Sequence, residues 1–254
     1  MSNWYLITGA GAGIGRAIAK RLASGSHRLI LMGRTEASLE ETRRLLDQSD
    51  SHRIAPADIC RPEAIQAALK LTGIQSLHGV VANAGIGGGN HYGDGDRWDE
   101  IIATNLTGTY HTVRHCLDYL RANREPGGNR HVVVVSSILA RLGVPGYSAY
   151  CASKAGLLGL VRSWAAEWAN ERILVNAICP GWVKTKMAMD GLVSFAAQSG
   201  KTVEEAFAEQ MVPVPLGKMS EPEEVAALTA FLLAGGQSSI TGQTLDINNG
   251  ALMP

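Results

Sequence analysis

Short runs of apolar residues alternate along the chain with stretches whose apolar positions recur at helical spacing. The runs WYLIT (4–8), RLILM (28–32), HGVVANA (78–84), HVVVVSS (131–137), ILVNAIC (173–179) and TLDIN (244–248) read as strands by length and β-branched content, with a further short strand near HRIAPAD (52–58). Most are apolar on both faces, as a parallel sheet covered by helices requires. Between them Ile14, Ile18 and Leu22 recur at steps of four, and Leu157, Val161, Trp164 and Trp168 at steps of four, three and four, so each stretch predicts a helix with one buried face. Ser220, Glu221, Pro222 and Glu223 spell an S-x-x-E capping box ahead of Val225, Leu228 and Leu232, with Gly235 and Gly236 closing the helix. The alternation predicts one α/β domain over 1–254, a doubly wound parallel sheet of about seven strands that binds its ligand beyond the strands' carboxyl ends. Only Thr185 to Met219 breaks the rhythm, with weak helical hints over Val203 to Met211, and GIGGG (85–89) reads as a mobile loop.

Composition narrows the partner. With 23 Lys plus Arg against 23 Asp plus Glu, no overall field favours nucleic acid or an anionic membrane. No basic, apolar and cleavage-site sequence opens the chain, and no eighteen apolar residues run together, so a cytoplasmic protein that does not span a membrane is expected. Cys60, Cys116, Cys151 and Cys179 are widely spaced, without C-x-x-C, and read as free thiols.

LITGAGAGIGRAIAKRL sets a glycine-rich turn between the first strand and a helix. There the free N–H groups and dipole of the helix suit a pyrophosphate, and Gly9, Gly13 and Gly15 let backbone and phosphate approach. The spacing is G-x-x-x-G-x-G rather than G-x-G-x-x-G. About twenty residues on, where a carboxylate would hold the ribose of NAD, the second strand ends in Gly33, Arg34 and Thr35. An arginine fork with a neighbouring hydroxyl suits the 2′-phosphate of NADP, with NAD the alternative.

In YCASK, Tyr150 and Lys154 stand one helical turn apart on one face, where an ammonium would favour the phenolate. Such a pair is also an ordinary feature of amphipathic helix surfaces. Thirteen residues earlier Ser136 and Ser137 end a strand, and IIATN ends in Asn105. T-G-x-x-x-G-x-G at Thr8 to Gly15, N-A-G at Asn83 to Gly85, Asn105, Ser137, Y-x-x-x-K at Tyr150 to Lys154, and P-G at Pro180 and Gly181 follow in order. In this combination the whole chain resembles the short-chain dehydrogenase/reductase family, which implies a Rossmann-like fold.

By this resemblance Tyr150 exchanges a proton with a carbonyl or alcohol oxygen, and Ser137 hydrogen-bonds that oxygen. Lys154 lowers the tyrosine pKa and holds the nicotinamide ribose, while Asn105 organises a water joining Lys154 to solvent. The cofactor set it implies is Thr8, Gly9, Gly11, Gly13, Ile14, Gly15, Arg34, Thr35, Asp58, Ile59, Asn83, Ala84, Gly85, Tyr150, Lys154, Pro180, Gly181, Val183 and Thr185, with Asp58 at the adenine and Val183 and Thr185 at carboxamide and phosphate. Asp58 and Thr185 could instead be ordinary loop or helix-capping residues. The chain departs from the commoner family pattern at Ala82, in place of the first Asn of N-N-A-G, at His78, in place of an aspartate, and at NNG (248–250), in place of D-G-G.

The segment 185–219 is the expected substrate lid, carrying Met187, Met189, Phe195, Phe207 and Met211, with Leu139, Leu142, Val144, Tyr147, Trp182 and Met187 as candidate pocket wall. The expected activity is NAD(P)(H)-dependent interconversion of a carbonyl and a secondary alcohol, including reduction of 3-oxoacyl or related ketones. The alternatives are an alcohol or dihydrodiol dehydrogenase using NAD and a non-catalytic nucleotide sensor. His111 and His115 lie one turn apart without a third ligand, so no metal is expected. A homodimer or homotetramer is implied by the family; Trp164 and Trp168 would pack against a second copy or inside one subunit.

Overall fold

The computed structural model describes residues 3–25, 27–123 and 128–253. Seven strands form one parallel sheet: β1 (Trp4–Thr8), β2 (Arg28–Gly33), β3 (Arg53–Pro56), β4 (Gly79–Ala82), β5 (Arg130–Val135), β6 (Ile173–Pro180) and β7 (Thr244–Ile247), in the order β3-β2-β1-β4-β5-β6-β7. All seven lie within a residue or two of the apolar runs. Because side chains alternate across a strand, each run feeds two cores. Leu6, Val80, Val132 and Val134 face one layer, where they meet Leu117, Leu157 and Val161. Ile7, Val81, Val133 and Val135 face the other, where they meet Ile18, Leu22 and Val225. The helices of the first layer include α3 (Pro62–Leu71), α5 (Gly108–Ala122) and α6 (Ser148–Trp168); those of the second include α1 (Gly13–Ala23), α2 (Glu36–Arg44) and α9 (Pro222–Leu232). The short α4 (Trp98–Ile102) runs into α5 through a π-helical turn, Ala103–Thr107.

The segment after β6 holds two helices, α7 (Lys186–Ser199) and α8 (Val203–Met211), where the sequence pattern hints only at the second. Leu192, Met211, Val214 and Met219 form a small core of their own there, supported by Trp182, Val203 and Ala251. The capping box of α9 is displaced by one residue from the expected Ser220 and Glu223. Glu221 caps the helix and Glu224 closes the box, accepting from Glu221 N at 2.7 Å. Ser220 is taken by a parallel bridge to Val183, and its hydroxyl accepts from Asn249 Nδ2 at 3.1 Å. The helix ends at Leu232, before Gly235 and Gly236, with a right-handed C-cap at Leu233. Trp164 and Trp168 are each 5% exposed and stack with centroids 5.5 Å apart, so they are covered within a single chain. Among the described residues no helix is long and apolar enough to cross a membrane.

Candidate active site

Parallel winding brings the ends of β1, β4, β5 and β6 to one edge of the sheet, where the chain leaves β1 through the glycine turn. Thr8 is buried, and its Oγ1 accepts from Asn83 N and Ala84 N, both at 3.0 Å. Asn83 Nδ2 returns a bond to Thr8 O at 3.0 Å, so the two loops are locked to each other. Gly9 has φ +65°, which favours glycine, and a Cβ on Gly15 would lie 2.2 Å from Gly9 O. Ala12 caps α1 without a side-chain bond, and no acidic residue stands in the first turn. A helix N-terminus with free N–H groups, under a turn where side chains do not fit, suits a diphosphate. Arg16 braces the turn from behind: it donates to Gly11 O at 2.5 Å and Thr42 Oγ1 at 3.0 Å, and forks onto Glu41 at 2.9 Å. The sequence motif does not reveal this brace, because Glu41 and Thr42 come from α2.

The other expected cofactor residues distribute around this turn. Arg34 and Thr35 are exposed at the end of β2, and Arg34 has no hydrogen-bond or ion-pair partner among the described residues. Asp58 is half-buried and accepts from Cys60 N at 2.9 Å, a local turn. Ile59 is 5% exposed and packs into the space beside Gly108, so its side chain belongs to the core. Ile14 is half-buried against the core of its layer. Thr185 caps α7, accepting from Ala188 N at 3.3 Å, while its methyl carbon stands 3.2 Å from the Cβ position of Gly13. Thr185 is thus a helix cap that also lies against the glycine turn. Val183 is buried, and Pro180 and Gly181 carry the chain from β6 past Asn248. Of the departures from the family pattern, His78 precedes β4 at the edge opposite the site, and Ala82 is core. The Asn248-Asn249-Gly250 turn is held by Gly250 N to Asn248 Oδ1 at 3.0 Å, and Asn249 ties it to Lys218 O at 2.9 Å.

The turn after β5, helix α6 and the π-helical turn before α5 supply the four expected catalytic residues. Ser137 Oγ accepts from Leu139 N at 3.1 Å, which leaves the hydroxyl proton free to point elsewhere, and the Ser137 side chain stands near enough to the Tyr150 phenol to favour its ionised form. Lys154 is 5% exposed, donates to Val135 O at 3.0 Å, and sets its ammonium 5.7 Å from the centre of the Tyr150 ring. Beneath them Ser136 Oγ donates to Lys154 O at 2.8 Å. Asn105 sits in the π-helical turn, where its Oδ1 accepts from Ile86 N at 2.8 Å and its Nδ2 donates to Ile86 O at 3.0 Å and Ser153 Oγ at 3.2 Å. Its oxygen and Lys154 Nζ lie 3.0 and 3.5 Å from the Cβ position of Gly85, on one small patch.

The electrostatics differ from the expectation for Tyr150. Burial pushes the phenol up to about 12, the Ser137 side chain pulling the other way, and burial pushes the Lys154 ammonium down to about 8. The Lys154 ammonium addresses the Val135 carbonyl and the ring face, and burial rather than the lysine sets the direction of the tyrosine's shift.

On the substrate side Leu142 and Val144 are each 38% exposed and Met187 is 47% exposed, with Leu139 and Tyr147 half-buried. Met187 Cγ and Sδ stand 3.0 Å from the Cβ position of Gly87, so the start of α7 rests on the glycine loop that the sequence marks only as mobile. Met189 and Phe207 are exposed and Phe195 half-buried, whereas Met211 is packed inside the lid and Trp182 supports that packing. Asn90, which no motif singles out, reaches across to the start of α6. His115 Nδ1 is spent on the His111 carbonyl at 2.8 Å.

A sequence model described as enoyl-(acyl carrier protein) reductase matches residues 9–251. The chain is 34% identical to a 3-oxoacyl-(acyl-carrier-protein) reductase of Rickettsia prowazekii (strain Madrid E), over 98% of this chain and 96% of the relative. It is 31% identical to a (3R)-3-hydroxyacyl-CoA dehydrogenase of Mus musculus, over 98% and 95%. A crystal structure of an actinorhodin polyketide ketoreductase variant with NADPH superposes with a TM-score of 0.90 at 30% identity, covering 98% of this chain and 97% of that one. Fold, motif order and relatives agree: the chain belongs to the short-chain dehydrogenase/reductase family.

Proposed function

We propose that this protein is an NADP(H)-dependent ketone reductase acting on 3-oxoacyl or related β-keto substrates. The observation that carries the reading is the buried Tyr150 phenol, with the Ser137 side chain near it and the Lys154 ammonium 5.7 Å from the centre of its ring. The glycine turn supports nicotinamide dinucleotide binding through Thr8, Gly9, Gly11, Gly13, Ile14, Gly15, Asn83, Ala84, Gly85, Val183 and Thr185. Arg34 and Thr35, exposed at the end of β2, would meet the 2′-phosphate, and Asp58 the adenine. When bound, the dinucleotide supplies the hydride to the substrate carbon.

The chain's own residues handle the oxygen. Ser137 donates a hydrogen bond to the carbonyl, since its lone pair already takes Leu139 N–H. Tyr150 then gives its proton to the oxygen as negative charge develops there. A phenol with a pKa of about 12 is protonated at neutral pH, which suits proton donation and hence reduction. Lys154 stabilises the resulting phenolate, and Asn105 holds the Ile86 loop beside it. The apolar faces of Leu139, Leu142, Val144, Tyr147 and Met187 exclude water, with 185–219 as lid and Trp182 as its support. Like its family, the protein works as a homodimer or homotetramer, which sedimentation tests.

A nicotinamide absorbance assay with β-ketoacyl thioesters, aromatic ketones and aliphatic ketones tests the reading. Faster oxidation of NADPH than NADH with a β-keto substrate is expected. Arg34→Ala should raise the KM for NADPH about 10- to 100-fold, the loss of a charge-assisted bond of about 1.5–3 kcal/mol, while barely moving that for NADH. Failure of both dinucleotides to bind overturns the reading.

A further inference from the structure

The helix that carries Tyr150 and Lys154 has no cap of its own. Its N-cap residue, Tyr147, makes no side-chain cap bond, and the first helical turn contains no acid. The cap comes from a different loop. Asn90 is 7% exposed, and its Oδ1 accepts both from Ala149 N at 2.9 Å and from Ser148 Oγ at 3.1 Å. Its own N–H donates to Gly146 O at 2.7 Å, so Asn90 grips the last residue pair before α6 and the first pair inside it. Tyr150 follows Ala149 directly. Asn90 ends the same glycine loop whose Gly87 meets Met187 of the lid and whose Ile86 is held by Asn105. One amide thus joins the start of the catalytic helix to the loop between lid and catalytic asparagine.

We infer that Asn90 is a positioning residue for the proposed reduction, fixing the first turn of α6 so that the Tyr150 hydroxyl stays in register with Ser137. The inference rests on the reading above of Tyr150 as proton donor. An uncapped helix start frays, and a donor displaced by about 1 Å loses about a hundredfold in rate. An alanine at 90 leaves the Ala149 N–H without its acceptor and uncouples the glycine loop from α6. An aspartate keeps the acceptor, which an N-cap position accommodates, and adds a negative charge at the start of α6, against Ala149, the residue that directly precedes Tyr150. The titratable groups acting on Tyr150 are Tyr147, Cys151 and Lys154 of its own loop and helix and Cys179 of β6. Asn90 touches no part of the glycine turn, so cofactor affinity should not depend on it.

The test compares wild type, Asn90→Ala, Asn90→Asp and Ser148→Ala, with Tyr150→Phe as reference, and scores kcat per NADPH-binding site. Asn90→Ala should lose about 10- to 100-fold in kcat with NADPH affinity within about twofold. Asn90→Asp should recover kcat to within a few-fold at neutral pH and move the tyrosine limb of the kcat–pH profile upward, because the new carboxylate disfavours phenolate. Ser148→Ala, which spares the Ala149 bond, should stay close to wild type. If Asn90→Ala does not fold, the Asn90→Asp profile decides alone. Wild-type kcat in Asn90→Ala, or an unmoved limb in Asn90→Asp, overturns the inference. An inactive wild type, or a fully active Tyr150→Phe, overturns instead the reading on which it rests.

Discussion

The floor of the site and its lid are built differently. The floor stands on β1, β4, β5 and β6, whose inward residues are almost all fully buried, and its polar groups hold one another: Thr8 with Asn83, Ser136 with Lys154, Asn105 with Ile86. The segment 185–219 rests on a small core of Leu192, Met211, Val214 and Met219, with Ala196 and Ala206 also buried, and leaves Met187, Met189 and Phe207 exposed. Side chains in a dense core hold position to fractions of an ångström, whereas an element with few buried contacts can move and vary. This contrast underlies our proposal that the chemistry belongs to the floor and the choice of substrate to the segment 185–219.

The sharpest way to break that contrast is to damage the floor at Gly15. Its added Cβ would meet the backbone oxygen of Gly9 at 2.2 Å, which cannot give way, and Asn83 Nδ2 at 2.7 Å, a side-chain end already tied to Thr8 O. Gly15→Ala should destabilise the fold by about 1–3 kcal/mol and weaken NADPH binding about a hundredfold or more, read by thermal melting and cofactor titration. If it binds NADPH normally, the floor is less rigid than described.

A second effect arises at the far edge of the same sheet. His131 is 2% exposed, neither ring nitrogen makes a well-formed hydrogen bond, and burial pushes it down to about 4; burial also lowers His27 and His52. The unfolded chain takes up the His131 proton near pH 6.5 and the folded chain only near 4, so this stability is present above 6.5 and is lost as pH falls through that window. At pH 5 the loss from His131 is roughly 2 kcal/mol. Paired carboxylates such as Glu171 and Glu224 lose their stabilising contribution only below their usual value of 4.5. Urea midpoints at pH 7 and 5 should converge in His131→Leu relative to wild type.

The smallest effect tests the lid. Met187→Ala removes a 47% exposed side chain and should leave the melting temperature nearly unchanged, while shifting KM a few-fold according to acyl chain length. A large loss of stability would mean that the lid is part of the core.

What the sequence makes legible follows the same division. The strands and the glycine turn are local patterns, and Ser137, Tyr150 and Lys154 lie close together in the chain, just after β5 and at the start of α6, so their order in the chain carries their order in space. Helix α7 is hidden because only Leu192 and Ala196 of its fourteen residues are buried, too few to set a period. Ser220 misleads because a bridge to Val183 claims it, a tertiary contact that no local rule contains. Asn90 and Arg16 act on α6 and α2 from elsewhere in the chain, and the high pKa of Tyr150 arises from burial, which spacing alone does not reveal.

The most direct test of the central claim is Tyr150→Phe, assayed for β-ketoacyl thioester reduction alongside NADPH binding. Removing the proton donor while keeping the ring should lower kcat by about 100- to 10,000-fold and leave NADPH affinity within a few-fold of wild type. Turnover comparable to wild type in that variant would contradict the account.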